Sequence, residues 1–560
     1  MHALGLADLD VLIVDCQTTG ASPAFGCVLE LGWGVARANQ SELMAAEAHW
    51  IALPEGQRVP RQVQKITGYE PAYAASALPD SDAWTRLRQA VRRAAAAPTA
   101  IHYARFELAF LREWSTRFEP ETPFPFDAVC VHAIATRLYP DLPRQSLRAL
   151  AGYLGHSLDL ARRSLGHVEA TAFVWRSLCA ELATRDIVTW EGLQAWLGER
   201  VPAKTRAKKP RYPIASERYK SLPDAPGVYR FLRSNCDVLY VGKAASLRKR
   251  VTSHFIGRAS KLLAPEMLTQ VSAIEFAACE SALEAALLET DTIKALRPPY
   301  NVQLTAFEQR VWYSSPDFSA AASMPDSEFS VGPLASQHSL RPLAALGELS
   351  SGANSTPQLR SHAVGVSDLW TPDEAVFAAG WAELLARHPE ALSLAASRPR
   401  HGVLRLAKQL LLSAPNKAVE EPENSDKPEG WDPERVARHI ERAAAQAYQA
   451  YRRARFLLLL HDCDLVYREP DGVQGRLLRI RDGALAEARE ASLAWAPSER
   501  ARPVAALRSF ASFDRAKYDR LRVLTTELKR IARDGGQLAL HFGPGSSIRK
   551  RWLFGVLRLV

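Results

Sequence analysis

Between Ser221 and Asn301 the chain sets two short apolar runs, Gly227-Val-Tyr-Arg-Phe231 and Val238-Leu-Tyr-Val-Gly242, on either side of a six-residue loop holding Asn235 and Asp237. Apolar runs of this length parted by a polar loop read as a β-hairpin. Pro226-Gly227 opens the first strand, and Gly242 ends the second where the backbone must bend tightly. A basic helix is expected next, over Ser246-Leu-Arg-Lys-Arg-Val251. A further helix, marked by Leu283, Leu287, Thr290 and Lys294, carries Glu289. It should stop ahead of Pro298-Pro299-Tyr300-Asn301, because a residue preceding proline is pushed out of the helical region.

Five short stretches follow one another here: Pro-Gly-Val-Tyr, Tyr-Val-Gly-Lys-Ala, Leu-Arg-Lys-Arg-Val, Leu-Leu-Glu and Arg-Pro-Pro-Tyr-Asn. In that order and spacing they resemble the GIY-YIG nucleases, above all the amino-terminal nuclease domain of UvrC and its relative, the excinuclease Cho. The resemblance implies phosphodiester cleavage, which needs an activated water or hydroxyl, charge stabilisation on the phosphorane and a stabilised leaving oxygen. It implies that Tyr229 is the base or activating phenol, Tyr240 its supporting partner and Lys243 an assistant near Tyr240. Arg250 would clamp the phosphate bidentately, and Asn301 would order the domain around the site. Glu289 would hold Mg²⁺ (or Mn²⁺), since magnesium favours one or two carboxylates with waters and phosphate oxygens. Arg248, Lys249 and His254 would add contacts to the DNA backbone, which position a substrate without reading its sequence. For His254 a surface histidine at a helix end is the plainer alternative; for the tyrosines it is half-buried strand residues, and for Glu289 a solvated helix face.

Residues 1–198 begin with an apolar strand, Asp10-Val-Leu-Ile-Val-Asp15, then a turn at Thr18-Thr-Gly20. Strands are expected over Val28–Val35 and near His49–Leu53, and helices over 82–96, 106–117 and 145–155. Val-Asp-Cys-Gln-Thr-Thr-Gly, His102 to Leu111, Phe126-Asp127 and Leu165-Gly-His167 resemble the DEDDh 3′–5′ exonucleases, the family of the DNA polymerase III epsilon subunit, which implies an RNase H-like fold. The family's Asp-x-Glu reads Asp15-Cys-Gln17 here, its second-motif Asp falls on Glu107, its histidine on His167 and its last Asp on Ala172. Two-metal catalysis needs clustered carboxylates, so the exonuclease site is expected to be degenerate. Glu169, three residues before Ala172 and on the same helical face, would be the one residue able to stand in for it at a metal.

Residues 199–220 read as a basic, proline-punctuated linker, either solvated or tracking phosphates. Residues 304–418 read as mostly helical, 419–434 as an acidic linker and 435–560 as an α+β domain. Within the last, a helix over Arg435–Leu460, strands over Cys463–Arg468 and Gly475–Ile480, a helix over Asp514–Arg533 and a run at Gln537–Phe542 are expected. A basic Arg549-Lys-Arg-Trp552 closes the chain, and no chemical motif stands out after residue 303. The fold class is therefore multidomain α/β: RNase H-like, then a small α/β GIY-YIG domain, then a mostly helical region.

The scattered cysteines form no Cys-x-x-Cys pair, which fits a reducing cytoplasm and argues against zinc or disulfides. No run of eighteen apolar residues or secretory leader is expected, and the net charge of +10 favours a polyanionic partner. The second nuclease, hairpin motifs and cysteine cluster of full UvrC proteins are not recognised, nor a clear UvrB-binding helix pair, favouring a Cho-like single incision. The expected function is thus a metal-dependent, nucleoid-associated endonuclease cutting one strand of damaged DNA in nucleotide excision repair. Its expected partners are DNA, a UvrB-like loader or replication and repair proteins. The alternative is a 3′–5′ exonuclease whose GIY-YIG domain only binds DNA.

Overall fold

A computed structural model describes residues 5–93, 98–157, 162–200, 211–256, 265–305, 309–366, 370–389, 399–413, 430–470, 472, 474–491, 511–541 and 547–548. The chain divides into two compact units, residues 1–285 with 296–301 and residues 286–295 with 302–560. The basic stretch 201–210, the acidic stretch 414–429 and the terminal Arg549–Trp552 lie outside the described residues.

In the first unit a five-stranded sheet has the order β3-β2-β1-β4-β5, from Val11–Thr18 (β1), Val28–Ala36 (β2), Met44–Trp50 (β3), Thr99–Ile101 (β4) and Ala128–Cys130 (β5). The first three strands are antiparallel, and β1, β4 and β5 are parallel, which is the RNase H-like arrangement. Strand β1 is apolar without alternation because helices cover both its faces. Val11 and Ile13 pack with Val168, Ala172 and Trp175 of the helix Ser164–Ala183. Leu12, Val14 and Cys16 pack with Leu87 and Phe110 of the helices Asp80–Arg93 and Ala104–Phe118. Since side chains alternate along a strand, Asp15 and Gln17 leave on the Ser164–Ala183 side. The third strand lies earlier than expected, at 44–50 rather than 49–53, with Ile51 bridging to Leu78 instead.

The second sheet of this unit is β7-β6-β8, with β6 Gly227–Leu232 central between antiparallel β7 Val238–Ala244 and β8 Ala273–Ala278. Residues 211–220 are not a connector. Arg211 N–H donates to the Asp141 carbonyl (2.9 Å), Ser216–Lys220 is helical, and Ile214 and Tyr219 are buried with Tyr229, Phe231 and Leu247. Their apolar side chains outweigh the flanking charges that suggested a linker.

Helices and loops beside the two sheets of this unit meet at a polar seam. Arg233, only 1% exposed, donates from Nε to Gln270 Oε1 (3.0 Å) and from Nη1 to Ser157 Oγ (3.2 Å). Ser146 Oγ donates to Glu266 (3.0 Å), and the Arg148 guanidinium lies 4.6 Å from the Tyr300 ring centre. Gly152 is needed there, because a Cβ would overlap the Gln270 amide.

The second unit contains a small sheet, β10-β9-β11, over Trp312–Ser314 (β9), Ala321–Ala322 (β10) and Val331–Leu334 (β11). These strands fall within residues 304–418, which were expected to be mostly helical. A 28-residue helix, Pro433–Leu460, capped by Asp432, is surrounded by Leu343, Leu346, Leu359, Phe377, Leu406 and Leu410 from preceding helices. An antiparallel sheet β14-β13-β12-β15-β16 follows, with β12 Cys463–Arg468, β13 Gly475–Arg481, β14 Ala484–Ala491, β15 Gln537–His541 and β16 Ser547–Ile548. The helix Arg515–Arg533, capped by Asp514, joins its fourth strand to the rest. Among the described residues no helix is long and apolar enough to cross a membrane.

Candidate active sites

The hairpin register sets Tyr229 opposite Gly242, Phe231 opposite Tyr240 and Val228 opposite Lys243. Tyr229 and Phe231, two residues apart, share the inner face of β6. A Cβ on Gly242 would fall 2.6 Å from the Tyr229 hydroxyl, so the phenol can lie across the partner strand only over a glycine. The Tyr229 and Tyr240 ring centres are 6.1 Å apart. Asn301 is a clamp on the second strand: its Oδ1 accepts from Val241 N–H (3.0 Å) and its Nδ2 donates to the Val241 carbonyl (2.9 Å). It thereby fixes the strand between Tyr240 and Gly242.

The helix Leu247–Phe255 starts at Ser246, whose hydroxyl accepts from Lys249 N–H. Arg248 (3.0 Å) and Lys249 (3.7 Å) both pair with Asp224 while staying substantially exposed. The Asp224 carboxyl is held below its usual range by hydrogen bonds from Ser246 and Arg248.

His254 is not a surface residue and is not aimed at DNA. It is fully buried, and its Nε2 lies 2.7 Å from the Tyr229 hydroxyl. Tyr229 is itself enclosed rather than half-buried. Positions 247, 251 and 254 form one face of the helix, and Leu247 and Val251 are core residues, so the seven-residue spacing was the signal that placed His254 inside. Burial, with the Arg250 cation nearby, pulls the His254 imidazole down to about 4, so it is neutral at neutral pH and can share a hydrogen bond with the phenol. Glu289 lies on the helix Ala282–Leu296, in the part that clusters with the second unit.

The depressed His254 value fixes a pH dependence of stability. The unfolded histidine titrates near 6.5, so below that pH the unfolded chain takes up a proton that the folded chain refuses. The contribution of neutral His254 is present above about 6.5 and is lost as pH falls towards about 4, amounting to about 3 kcal/mol. His102, buried and pulled down to about 3, acts in the same direction. Urea unfolding followed by circular dichroism should therefore show stability falling from pH 6.5 to 4. His254→Gln should flatten that slope by His254's share.

In the exonuclease-like fold, β1 and two helices bring Asp15, Gln17, Glu107 and His167 together. Asp15 Oδ1 is 3.3 Å from His167 Nδ1, and Cys16 N–H donates to Glu107 Oε2 (3.1 Å). Burial, then the adjacent Asp15, pushes the Glu107 carboxyl well above its usual range. The Gln17 amide donates to the Arg162 carbonyl. Ala172 is fully buried among Val11, Ile13 and Trp175, whereas Glu169 is exposed; the edge of the buried face runs between them, so Glu169 does not replace the lost ligand. Glu30, a further buried carboxylate, is taken by Arg163 and by Ser164 N–H (2.9 Å). Asp15 Oδ2 and Gln17 Oε1 are buried without a hydrogen-bond partner. Asp15 and Glu107 are thus the two carboxylates that the fold brings to this site, with Gln17 between them and the strand's end. No group of three or more acidic, histidine or cysteine side chains suited to a metal occurs among the described residues.

Residues 225–302 match the UvrC-like GIY-YIG domain family. A Mycobacterium tuberculosis protein, provisionally named bifunctional exonuclease/endonuclease protein MT2247, is 28% identical over 319 residues, covering 55% of this chain and 47% of its own. UvrABC system protein C of Rhizobium etli is 46% identical over 91 residues, 16% of this chain and 13% of its own. The chain thus spans about half the length of the first relative and about an eighth of the second. The magnesium-bound GIY-YIG domain of UvrC from Thermotoga maritima is 28% identical, with a TM-score of 0.15, covering 16% of this chain and all of that one.

Proposed function

Taking residues 225–302 as a UvrC-like GIY-YIG domain beside an exonuclease-like fold, we propose that the protein is a divalent-cation-dependent DNA endonuclease that makes a single-strand incision in damaged DNA, in nucleotide excision repair. The observation that carries the reading is the buried Tyr229–His254 hydrogen bond at 2.7 Å, a phenol paired with a neutral base beside Arg250. Tyr229 acts as the base or activating phenol for the attacking water, and the neutral His254 imidazole, hydrogen-bonded to its hydroxyl, orients it. Arg250 and Lys243 neutralise the phosphate, Tyr240 supports Tyr229, and Asn301 holds the strand that carries Tyr240 and Lys243. Glu289 is the ligand for Mg²⁺, with Mn²⁺ as a substitute; a single carboxylate suits a cation that keeps waters and phosphate oxygens. When bound, the cation supplies charge stabilisation to the cleaved phosphodiester. Arg248 and Lys249 line the DNA backbone, exchanging Asp224 for phosphates.

The exonuclease-like fold serves here as a docking module for DNA or for a UvrB-like loader or replication and repair protein. Gln17 and Ala172, which stand where the resembled exonucleases have carboxylates, support this reading. The test is nicking of a supercoiled plasmid carrying bulky adducts by the full chain, with and without a UvrB-type loader. Nicking should require Mg²⁺, stop on chelation and persist in Asp15→Ala. Metal-dependent 3′–5′ degradation of labelled single-stranded DNA that Asp15→Ala abolishes, without nicking in either form, would overturn the proposal.

A further inference from the structure

The helix Ala282–Leu296 buries Leu283, Ala286, Leu287 and Ile293 along one face. Ser281 caps its start, accepting from Glu284 N–H (3.1 Å) and donating to Glu284 Oε1 (3.2 Å). Its middle is loosened where Thr290 returns a hydrogen bond to the Ala286 carbonyl (2.9 Å). It ends against Arg297, a non-glycine residue at φ 48°, ahead of two prolines.

Its far half, besides burying Ile293, is held by ion pairs from the helix Arg515–Arg533. Lys294 Nζ is 2.6 Å from Asp519, which is fully buried and also meets Arg515 (3.2 Å) and Arg522 (4.0 Å). Asp291 is 2.7 Å from Arg520 Nε, and Arg520 donates from Nη1 to the Gly483 carbonyl (2.9 Å) in the turn between β13 and β14. Lys517 pairs with Asp482 in the same turn (2.7 Å). The carboxy-terminal helix is thus tied to its own sheet at one face and to residues 291 and 294 at another.

Asp291 and Lys294 stand three apart, so they occupy one side of their helix. At ~100° per residue, Glu289 leaves the helix axis roughly 170° away from the mean direction of that pair. Two pins on one side fix the rotation and tilt of the helix while leaving the opposite side for Glu289. A carboxylate that ligates a cation must be held within a fraction of an ångström, so a small rotation of its helix matters.

We propose that Asp519 and Arg520 are positioning residues for the nuclease: by holding Lys294 and Asp291 they set the orientation of Glu289 and hence the metal concentration at which the enzyme cuts. This rests on Glu289 being the metal ligand. It assigns a task to the carboxy-terminal α+β region, which has no chemical motif of its own.

The test is plasmid nicking by the full chain, titrated with Mg²⁺, for the wild type, Arg520→Asp, Asp291→Arg, the double exchange Asp291→Arg/Arg520→Asp, and Glu289→Gln. Each single reversal should raise the Mg²⁺ concentration for half-maximal rate about tenfold, within the usual range for coupled sites. The double exchange should restore most of the shift, with thermal unfolding midpoints reported alongside. A shifted Mg²⁺ dependence in a single variant whose unfolding midpoint is that of the wild type is the readout that a merely structural role would not give. Should Arg520→Asp fold poorly, Asp291→Asn removes the same pin from the other side and should produce the same shift. Singles with a wild-type Mg²⁺ dependence, or a shift that the double exchange leaves untouched, overturn the proposal while an inactive Glu289→Gln keeps the reading of the site. A fully active Glu289→Gln would instead remove the reading on which it rests.

Discussion

Glu289→Gln is expected to reduce metal-dependent nicking on the order of 10³-fold or more, an effect of the size seen when charge stabilisation is removed from a transition state. The substitution keeps the length and the helix-forming character of the side chain, and the core contacts of Leu283, Leu287 and Ile293 are untouched. Folding should therefore be unchanged, and circular dichroism melting of the variant should overlay that of the wild type. The amide can still offer a neutral oxygen, so raising Mg²⁺ should recover a little of the rate, whereas it would recover none of a loss caused by unfolding. Initial rates across a Mg²⁺ titration decide the matter; a wild-type rate at every concentration would exclude Glu289 as the ligand.

Tyr229→Phe is expected to slow nicking by ~10²- to 10⁴-fold, the usual contribution of a positioned acid or base. One oxygen is removed and nothing else changes in shape: the ring still lies over Gly242 and against Phe231, whose ring centre is 5.2 Å away. The change also strands His254 Nε2, which is buried and loses its hydrogen bond, so stability should fall by about 1–3 kcal/mol. A rate loss together with a modest drop in urea midpoint identifies the pair. Tyr240→Phe, whose residue is only partly buried, should cost less in both measurements. An unchanged rate in Tyr229→Phe would remove the phenol from the chemistry.

The hairpin was legible because its constraint is local. The two strands follow from a short loop between two apolar runs, whereas the bulge between Phe231 and Leu232 that sets Gly242 opposite Tyr229 has no such signal. The long helix at Pro433–Leu460, the strand at Cys463–Arg468 and the helix at Arg515–Arg533 were legible for the same reason, since each carries its own period. His254 was misread because the type of residue suggested a surface while its position, seven after Leu247, pointed inward. Residues 211–220 were misread because their charges outnumber Tyr212, Ile214 and Tyr219, although those three set the burial. The order β14-β13-β12-β15-β16 could not be read, because β12 and β15 are brought together by a helix between them and no local pattern records that pairing. The pins on Asp291 and Lys294 were hidden for a like reason: each looks like an ordinary charge on a solvated face until Arg520 and Asp519, more than two hundred residues later, arrive beside it.

The seam around Arg233 bears on why an exonuclease-like fold with missing carboxylates persists in the chain at all. Arg233 belongs to the hairpin of the nuclease, yet its guanidinium is roofed by Ser157, and the Gln270 amide beside it fits only because Gly152 makes room. Stripped of that roof, the hairpin would present a guanidinium, an amide and the face of Tyr300 as raw surface. The amino-terminal fold is therefore also a wall for the hairpin, a task separate from any chemistry at Asp15 and Glu107. That holds whether or not Asp15 and Glu107 retain any grip on a cation.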